Sequence, residues 1–530
     1  MSISCHRDVG HRREKGRGGG LETAGGVPKF REGSSGVTVL HFLERWELAT
    51  RLIHPESRRA MQRRWAELPA EVQTDNQLLG RSAIGCEGTH GVFPKCNLTC
   101  SPCYHSADAN KVSVDGNHTL EQVDRQMAFA RAVRGPRAHA QLIGGEVSLL
   151  PAADHAAALA IMRRYGREPM SMTHGDFDYD YLLQVVLDEK GRRRFDRVSF
   201  AAHFDSLMRG RRGAVRPHSE AELDPFRAQF AQMFTDLNRE HGVRSYLAHN
   251  MTVTPSNLPE VADTVRAVLG MPFDMMSFQP AAYIGDDRRW KEDFSDVSID
   301  AVWEQVEAGA GQTLPWRATQ FGHPSCNRYT TGVLVEGRFT VALDPDDARD
   351  IAARDILLAH VGGMVFGGTA WPVLLAKIVR AAMRHPGDVG VAVGQLRRIV
   401  SRAGGLRRVV RAAVRRHVSV RTFVVHSFMD AAQVAPAWAL LQDGVMSDHA
   451  RVRETQVRLQ SCSYAMSHPD DGRLVPACVQ HSILDPAETR QLRTLLPLSP
   501  VEAGRRPIGL TPVRRTGSRA AAQSSPGPQG

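Results

Sequence analysis

The sequence predicts an α/β fold, a parallel sheet with helices outside it, followed by a helical extension that contains small hairpins. Three observations predict it. From Gly85 onward strand-like and helix-like patterns alternate, six times in about 200 residues, which implies parallel strands joined by crossover helices. Hydrophobic residues make up 42% of the 530 and charged residues 23%, a balance that allows a full core. The 8 Cys are too few for a disulfide scaffold, and aromatics at 6% with 46 Gly and 29 Pro fit neither a coiled coil nor a collagen-like chain.

Taken in order, residues 38–85 read as an N-terminal helical segment carrying Leu40, Leu43, Trp46 and Leu48. The first strand is expected at His90–Lys95. The next helix opens at Thr119, with Gln122 completing a capping box and Leu120, Val123 and Met127 facing inward. A second strand, Ala140–Ile143, runs into Gly144-Gly145-Glu146, and an Ala- and Leu-rich helix follows to about Tyr165-Gly166. The third strand is Met170–His174 and its helix runs from Tyr179 to about Asp188. The fourth is Arg197–His203, whose helix carries Phe226, Phe230, Met233, Phe234 and Leu237 on one face and stops at Gly242. The fifth is Arg244–Thr254, with a helix from Pro255-Ser256-Asn257, and the sixth is Met275–Tyr283. An open doubly wound sheet and a partial β/α barrel both fit this count, and both place chemistry at the C-terminal strand ends.

Residues 1–37 and 499–530 read as disordered tails rich in Gly, Ser, Pro and Arg. The net charge is +10, but residues 371–421 alone carry +11, the two ends (1–37 and 501–530) +3 and +4, and the remainder −8. A nucleic-acid binder would carry its basic stripe on the working domain, so no nucleic acid is expected. The basic N-terminus is not followed by an apolar core of a secretory signal. The most apolar run, Val361 to Ala376, holds four Gly and Pro372 and falls short of the ~20 residues of a membrane span. The expected compartment is the cytoplasm, where clustered Cys serve metals or catalysis rather than disulfides.

The chemistry-bearing segment is Lys95-Cys96-Asn97-Leu98-Thr99-Cys100-Ser101-Pro102-Cys103-Tyr104. Thiolates in a Cys-x3-Cys-x2-Cys spacing can wrap one polynuclear centre. Iron–sulfur clusters normally take four Cys ligands, so three leave one iron open. Gly-Gly-Glu after the second strand adds backbone carbonyls without a Cβ in the way and a nearby negative charge, which suits a cation.

With this loop, its place after the first strand, and Gly144-Gly145-Glu146, residues 86–285 resemble the radical S-adenosylmethionine (radical SAM) enzymes. The resemblance implies a partial (β/α)6 barrel. It implies a [4Fe–4S] cluster on Cys96, Cys100 and Cys103 whose open iron chelates S-adenosylmethionine, reductive cleavage to a 5′-deoxyadenosyl radical, and hydrogen abstraction from a substrate. Gly144, Gly145 and Glu146 would contact the methionine ammonium, Pro102 and Tyr104 would flank the cofactor, and an electron donor such as flavodoxin or ferredoxin is implied. Two departures mark the motif: Pro102 stands where the family often has an aromatic residue, with Tyr104 one place late, and Val147 replaces the usual Pro after Gly-Gly-Glu.

Polar residues at the other strand ends are His174 and Asp176, His203 and Asp205, Asn250 and Thr252, and Gln279. His203 and Asn250 are the first candidates for catalytic residues. The alternative to an enzyme is a zinc-stabilised binding protein, with Cys96, Cys100, Cys103 and His105 or Cys86 as ligands.

Beyond the barrel, residues 286–350 form a connecting region in which Cys326 precedes a hairpin at Glu336-Gly337-Arg338, residues 351–430 a basic amphipathic helical segment, and residues 431–498 a Cys-containing extension. Cys462-x9-Gly472-x5-Cys478, with a turn at Asp470-Asp471-Gly472-Arg473, resembles the opening of the SPASM or twitch auxiliary-cluster extensions. Cys86, Cys326, Cys462 and Cys478 are thus four candidate ligands for a second iron–sulfur cluster, for zinc with His323 and His481, or four unrelated buried thiols. Within residues 391–416, Leu396, Ile399 and Val400, then Leu406, Val409, Val410, Ala413 and Val414, form two apolar faces beside eight Arg. They are either surface helices packed on the body or a pair lying on an anionic membrane. The substrate is not legible; a peptide and a lipid both fit.

Overall fold

The computed structural model describes residues 35–104, 112–284, 290, 296–366, 369–468, 473–485 and 496. The chain divides into two units, residues 1–49 and 50–530. The first is described from residue 35 as helix α1 (Ser35–Thr50). The remaining helices belong to the second unit: α2 (Pro55–Glu67), α3 (Gly116–Arg134), α4 (Ala152–Arg164), α5 (Tyr179–Val186), α6 (Asp224–His241), α7 (Val261–Leu269), α8 (Ile299–Ala310), α9 (Ala348–Ile356), α10 (Trp371–Arg384), α11 (Pro386–Arg402), α12 (Leu406–Val414), α13 (Ala431–Gln442), α14 (Ala450–Gln460) and α15 (Ala477–Val479).

The second unit is built on one sheet. Its six core strands are β1 (Cys86–Gly88), β3 (Ala138–Leu142), β4 (Arg167–Thr173), β5 (Arg197–His203), β7 (Arg244–Val253) and β8 (Met275–Pro280), all parallel neighbours in that order. A small ribbon, β2 (Thr99–Cys100) against β6 (Met208–Arg209), stands apart. This is the expected α/β partial barrel, and its extension does more than follow it. Strand β11 (Val418–His426) pairs parallel with β8, and β12 (Tyr464–His468) pairs parallel with β1. The core therefore grows to eight parallel strands. Hairpin strands β9 (Asn327–Val335) and β10 (Arg338–Val341) flank β11, and β13 (Arg473–Pro476) flanks β12, all antiparallel.

Local chemistry explains each element. Strand β4 alternates buried and half-buried residues, so Arg167 and Ser171 face the helices while Met170 and Met172 face the interior cavity. Strand β7 is buried on both faces from Leu247 to Val253, as expected for a central parallel strand. Helix α6 packs Phe230, Phe234 and Leu237 against the sheet and ends at Gly242, whose φ of 66° closes the helix without a Cβ clash. The β9–β10 hairpin turns at Glu336 and Gly337, both at positive φ, in the manner of a type I′ turn. The expected turn at 470–473 has residues 469–472 outside the described residues, though the strands on either side pair as a hairpin requires.

Three expectations about elements are corrected. The first strand is Cys86–Gly88, not His90–Lys95: the latter leaves the sheet, its His90 N–H donating to the Gln126 side chain rather than to a neighbouring strand. Helix α3 starts at Gly116 under an Asp115 cap, and Thr119 instead donates its hydroxyl to the Val92 and Asp115 carbonyls. The helix after β7 begins as a short turn at Leu258–Glu260 before α7, because the Asn257 side chain is spent on Thr254 N–H, Glu220 and the Thr252 carbonyl.

A bidentate ion pair locks β1 to β4 across β3. Arg167 donates to both Glu87 oxygens at 2.8 and 2.9 Å, and neither side chain is more than 1% exposed. Removing one partner strands a buried charge, so Glu87→Ala should lose about 3–5 kcal/mol of stability. A denaturant titration reads this as a fall in midpoint at unchanged slope.

Candidate functional site

The C-terminal ends of the core strands open into a cavity of about 310 Å³, and all seven described cysteines line it. So do Pro102, Tyr104, Gly144, Gly145, Glu146, His203 and Asn250. Residues from four distant parts of the chain therefore share one chamber.

The Cys96–Cys103 loop is pinned at several points. Its Thr99–Cys100 stretch pairs with Met208–Arg209, buried Leu98 anchors it, and Asn97 Oδ1 meets His174 Nε2 at 2.8 Å. Contact with the Cys103 thiol, then burial, pushes the Cys100 thiol well above its ordinary pKa. Tyr104 stacks on His481 at 5.6 Å and accepts from Ala282 N–H, which fixes its ring at the cavity wall.

The Gly144-Gly145-Glu146 turn docks against the segment leading into that loop. Gly145 N–H donates to the Phe93 carbonyl at 2.7 Å and Glu146 N–H to the Lys95 carbonyl at 2.9 Å. A Cβ on Gly144 would lie 2.7 Å from the Phe93 ring and one on Gly145 2.1 Å from the Lys95 carbonyl oxygen. Both positions must be glycine for the two segments to meet. Their carbonyls accept no hydrogen bond among the described residues. The buried Glu146 carboxylate accepts from Ser148 N–H (2.9 Å), the Thr173 hydroxyl (2.7 Å) and His174 N–H (2.8 Å), so it organises the turn from within.

At the other strand ends the candidates divide. His174 takes a proton-donating contact from Asp176 N–H on Nδ1, which leaves Nε2–H for Asn97, and burial lowers its pKa. It is a neutral strut. His203 Nε2 lies 2.8 Å from Asp205 Oδ2 and 2.9 Å from the Thr252 hydroxyl, with its ring open to the cavity. Asn250 pairs with His203 across β5 and β7, is 3% exposed, and its side-chain amide finds no partner among the described residues. Gln279 lines the cavity, whereas Asp176 turns away to bind Arg212 at 2.9 Å. The Asn250 amide, lining the chamber without a protein partner among the described residues, is available to a polar group bound there.

Cys86, Cys326, Cys462 and Cys478 meet on the side of the chamber closed by β12. Cys86 N–H donates to the Ser463 carbonyl at 2.7 Å, and the Cys462 thiol donates to the Tyr464 carbonyl at 2.8 Å. Burial first raises the pKa values of Cys86 (pushed up to about 11), Cys462 and Cys478. Cys462 contributes to the shifts of Cys86 and Cys478, and Cys326 to those of Cys462 and Cys478, so Cys326, Cys462 and Cys478 sit within electrostatic reach of one another and Cys86 within reach of Cys462. Arg458 Nε lies 3.2 Å from Cys326 Sγ and places a positive charge against that sulfur. Among the described residues, no three of these thiols, nor any thiol with two other donors, come within 4.8 Å of one another. Tetrahedral zinc, with Zn–S of ~2.3 Å, would draw its sulfurs to about 3.8 Å. His105, one candidate zinc ligand, lies outside the described residues.

Sequence reasoning missed several residues of this wall. Arg458, Asn327, Ser463 and Tyr464 line the chamber; Asn327 donates to the Ser463 hydroxyl at 3.0 Å and contacts His426, whose imidazole burial lowers to a pKa of about 4. The Tyr464 hydroxyl is buried without a partner among the described residues. None carries a sequence signal, because Asn327 is placed by β9 joining the sheet, and Arg458, Ser463 and Tyr464 by α14 and β12.

No protein-family model and no curated protein matches the chain. Among solved structures, Streptococcus suis SuiB aligns at 12% identity and a TM-score of 0.29 over 45% of this chain and 48% of that one. The structure of SuiB bound to S-adenosylmethionine aligns at 14% and 0.25 over 41% and 43%. Native anSMEcpe with bound AdoMet and Cp18Cys peptide aligns at 10% and 0.28 over 42% and 57%. The chain thus spans about half the length of these structures, and the site rests on its own residues.

Proposed function

We propose that the chain is a radical SAM enzyme. One observation carries this reading: a Cys-x3-Cys-x2-Cys loop, a Gly-Gly-Glu turn that only glycine can make, and Asn250 all line one chamber at the ends of parallel strands. The residues fit the groups. Cys96, Cys100 and Cys103 would hold a [4Fe–4S] cluster with one iron open. Carbonyls of Gly144 and Gly145 suit an ammonium, and Asn250 and His203 suit polar groups of S-adenosylmethionine or substrate. A reduced cluster held there would supply the one electron needed for reductive cleavage of S-adenosylmethionine and, through it, hydrogen abstraction from a substrate.

The chain's own residues then do the rest. Glu146 fixes the glycine turn through its three donors, and Asp205 orients the His203 imidazole toward the chamber. Tyr104, Phe428 and the methionines of β4 give the chamber an apolar part of its wall. The Cys-x3-Cys-x2-Cys spacing beside a glycine turn at the strand ends favours a polynuclear centre with one open iron over the zinc-stabilised binding protein. Cys86, Cys326, Cys462 and Cys478 would hold a second cluster. A small reductant protein such as flavodoxin or ferredoxin would supply electrons, and the substrate would be a peptide or lipid reaching the chamber.

The test is anaerobic reconstitution with iron and sulfide, followed by assay for 5′-deoxyadenosine with S-adenosylmethionine and a strong reductant. A brown protein that forms 5′-deoxyadenosine is expected. A colourless protein that retains zinc and leaves S-adenosylmethionine intact sinks the reading.

A further inference from the structure

Soluble helices turn apolar residues inward, and α10–α12 do the reverse. Of the twenty-one large apolar side chains exposed among the described residues, thirteen lie between Leu357 and Val414. The inward side of α12 is Val409 and Ala412, packed with Val335, Ala403 and Val418. Of the apolar face read from the sequence at Leu406, Val409, Val410, Ala413 and Val414, Val409 thus turns inward, while Leu406, Val410 and Val414 lie outside with exposures of 67%, 52% and 81%. These three stand at i, i+4 and i+8 and form one stripe. Arg407, Arg411 and Arg415 repeat the same spacing one residue on and form a second stripe beside it.

The neighbouring helices repeat the pattern. On α11, Val389, Val393 and Leu396 are exposed, and on α10 Trp371, Leu375, Ile378, Val379 and Met383 are, while Lys377 points inward. Each helix contacts the next. Gly404 and Gly405, at φ of 98° and 90°, make the break between α11 and α12. At the α10–α11 junction His360 bonds Asp388 at 2.6 Å and stacks on His385.

Charge completes the description. Arg398 and Arg402 bind Asp347 and Asp350, and Arg408 binds Glu336, so these three hold the helices to the body. Arg397, Arg407, Arg411, Arg415 and Arg416 are exposed and have no ion-pair partner among the described residues. No described helix is long and apolar enough to cross a membrane.

We propose that α10–α12 dock the protein on an anionic lipid bilayer, the apolar stripes entering the headgroup boundary and the free arginines meeting lipid phosphates and carboxylates. An outward apolar stripe bordered by a cationic one is what an interfacial helix requires. A second copy of the chain fits less well, since the same unpaired arginines would face each other. An acidic partner protein would satisfy the arginines alone. The inference is independent of the chemistry proposed for the chamber.

The experiment is co-sedimentation of the full chain with vesicles of phosphatidylcholine alone or mixed with phosphatidylserine. Binding to the mixed vesicles at low salt, weakened by added salt, is expected. Each free arginine contributes about fivefold to partitioning, so R407Q/R411Q/R415Q/R416Q should weaken it more than a hundredfold. L406S/V410S/V414S, changed only at exposed positions, should also weaken binding while far-UV circular dichroism stays the same. Absence of binding at low salt overturns the proposal. So does binding that the leucine and valine changes leave intact, which would mean attraction by charge alone, or a dimer in sedimentation velocity that those changes dissolve.

Discussion

Replacing Cys96, Cys100 and Cys103 together by alanine should reduce S-adenosylmethionine cleavage to the level of the reductant alone. Each substitution deletes only a sulfur from a half-buried loop residue, and the loop keeps its other anchors: buried Leu98, the ribbon to Met208–Arg209, and the Asn97–His174 contact. The chain should therefore stay folded, with circular dichroism and denaturation midpoint close to the parent's. Single substitutions should act almost as strongly, because a three-thiolate set that loses one member no longer holds the open-iron cluster. Asn250→Ala separates binding from assembly. It leaves the loop and its iron in place but removes the buried amide facing the chamber, so it should raise the S-adenosylmethionine concentration needed for half-maximal cleavage about tenfold, the scale of one lost hydrogen bond. A triple alanine variant that still forms 5′-deoxyadenosine at the parent rate would falsify the cluster assignment outright.

Much of this architecture is legible in the chain. Strands β3, β5 and β7 and the stop of α6 at Gly242 are written locally, in alternation and in a glycine that must take positive φ. The ring of strand-end residues is legible too, because parallel strands of one sheet must open at the same end; only Asp176 leaves it, captured by Arg212. What the sequence hides is pairing at long range. Val418–His426 reads as an apolar stretch after the basic helices, and nothing local says that it extends the barrel beside Met275–Phe278. Likewise Tyr464–Met466 joins Cys86–Gly88 across most of the chain length. The extension is thus part of the barrel wall, and the residues it brings, Arg458, Asn327 and Tyr464, had no pattern to announce them. The outward face of α12 escapes for the same reason. A periodic apolar stripe tells that a helix is amphipathic, and only the partner surface tells which side is turned in.

That long-range pairing decides the last expectation, which concerns iron. Cys86 reaches the chamber wall from β1, Cys462 from the end of α14, Cys478 from α15 and Cys326 from the approach to β9. Unrelated core thiols spread over almost four hundred residues would be scattered through the interior; these four share one wall, with Arg458 against one of them. Four is the number a closed [4Fe–4S] cluster takes. Reconstituted protein should then carry about eight irons, as two such clusters require, rather than about four. The variant lacking Cys96, Cys100 and Cys103 should keep about half of that iron while losing all cleavage, and the complementary variant lacking Cys86, Cys326, Cys462 and Cys478 should keep the other half. Because β1 and β12 meet at Cys86 and Tyr464, the second variant should also melt earlier, its barrel edge having lost a metal staple. A triple variant that holds no iron after careful reconstitution would mean that the four thiols bind no cluster, and the earlier melting of the four-cysteine variant should then vanish with it.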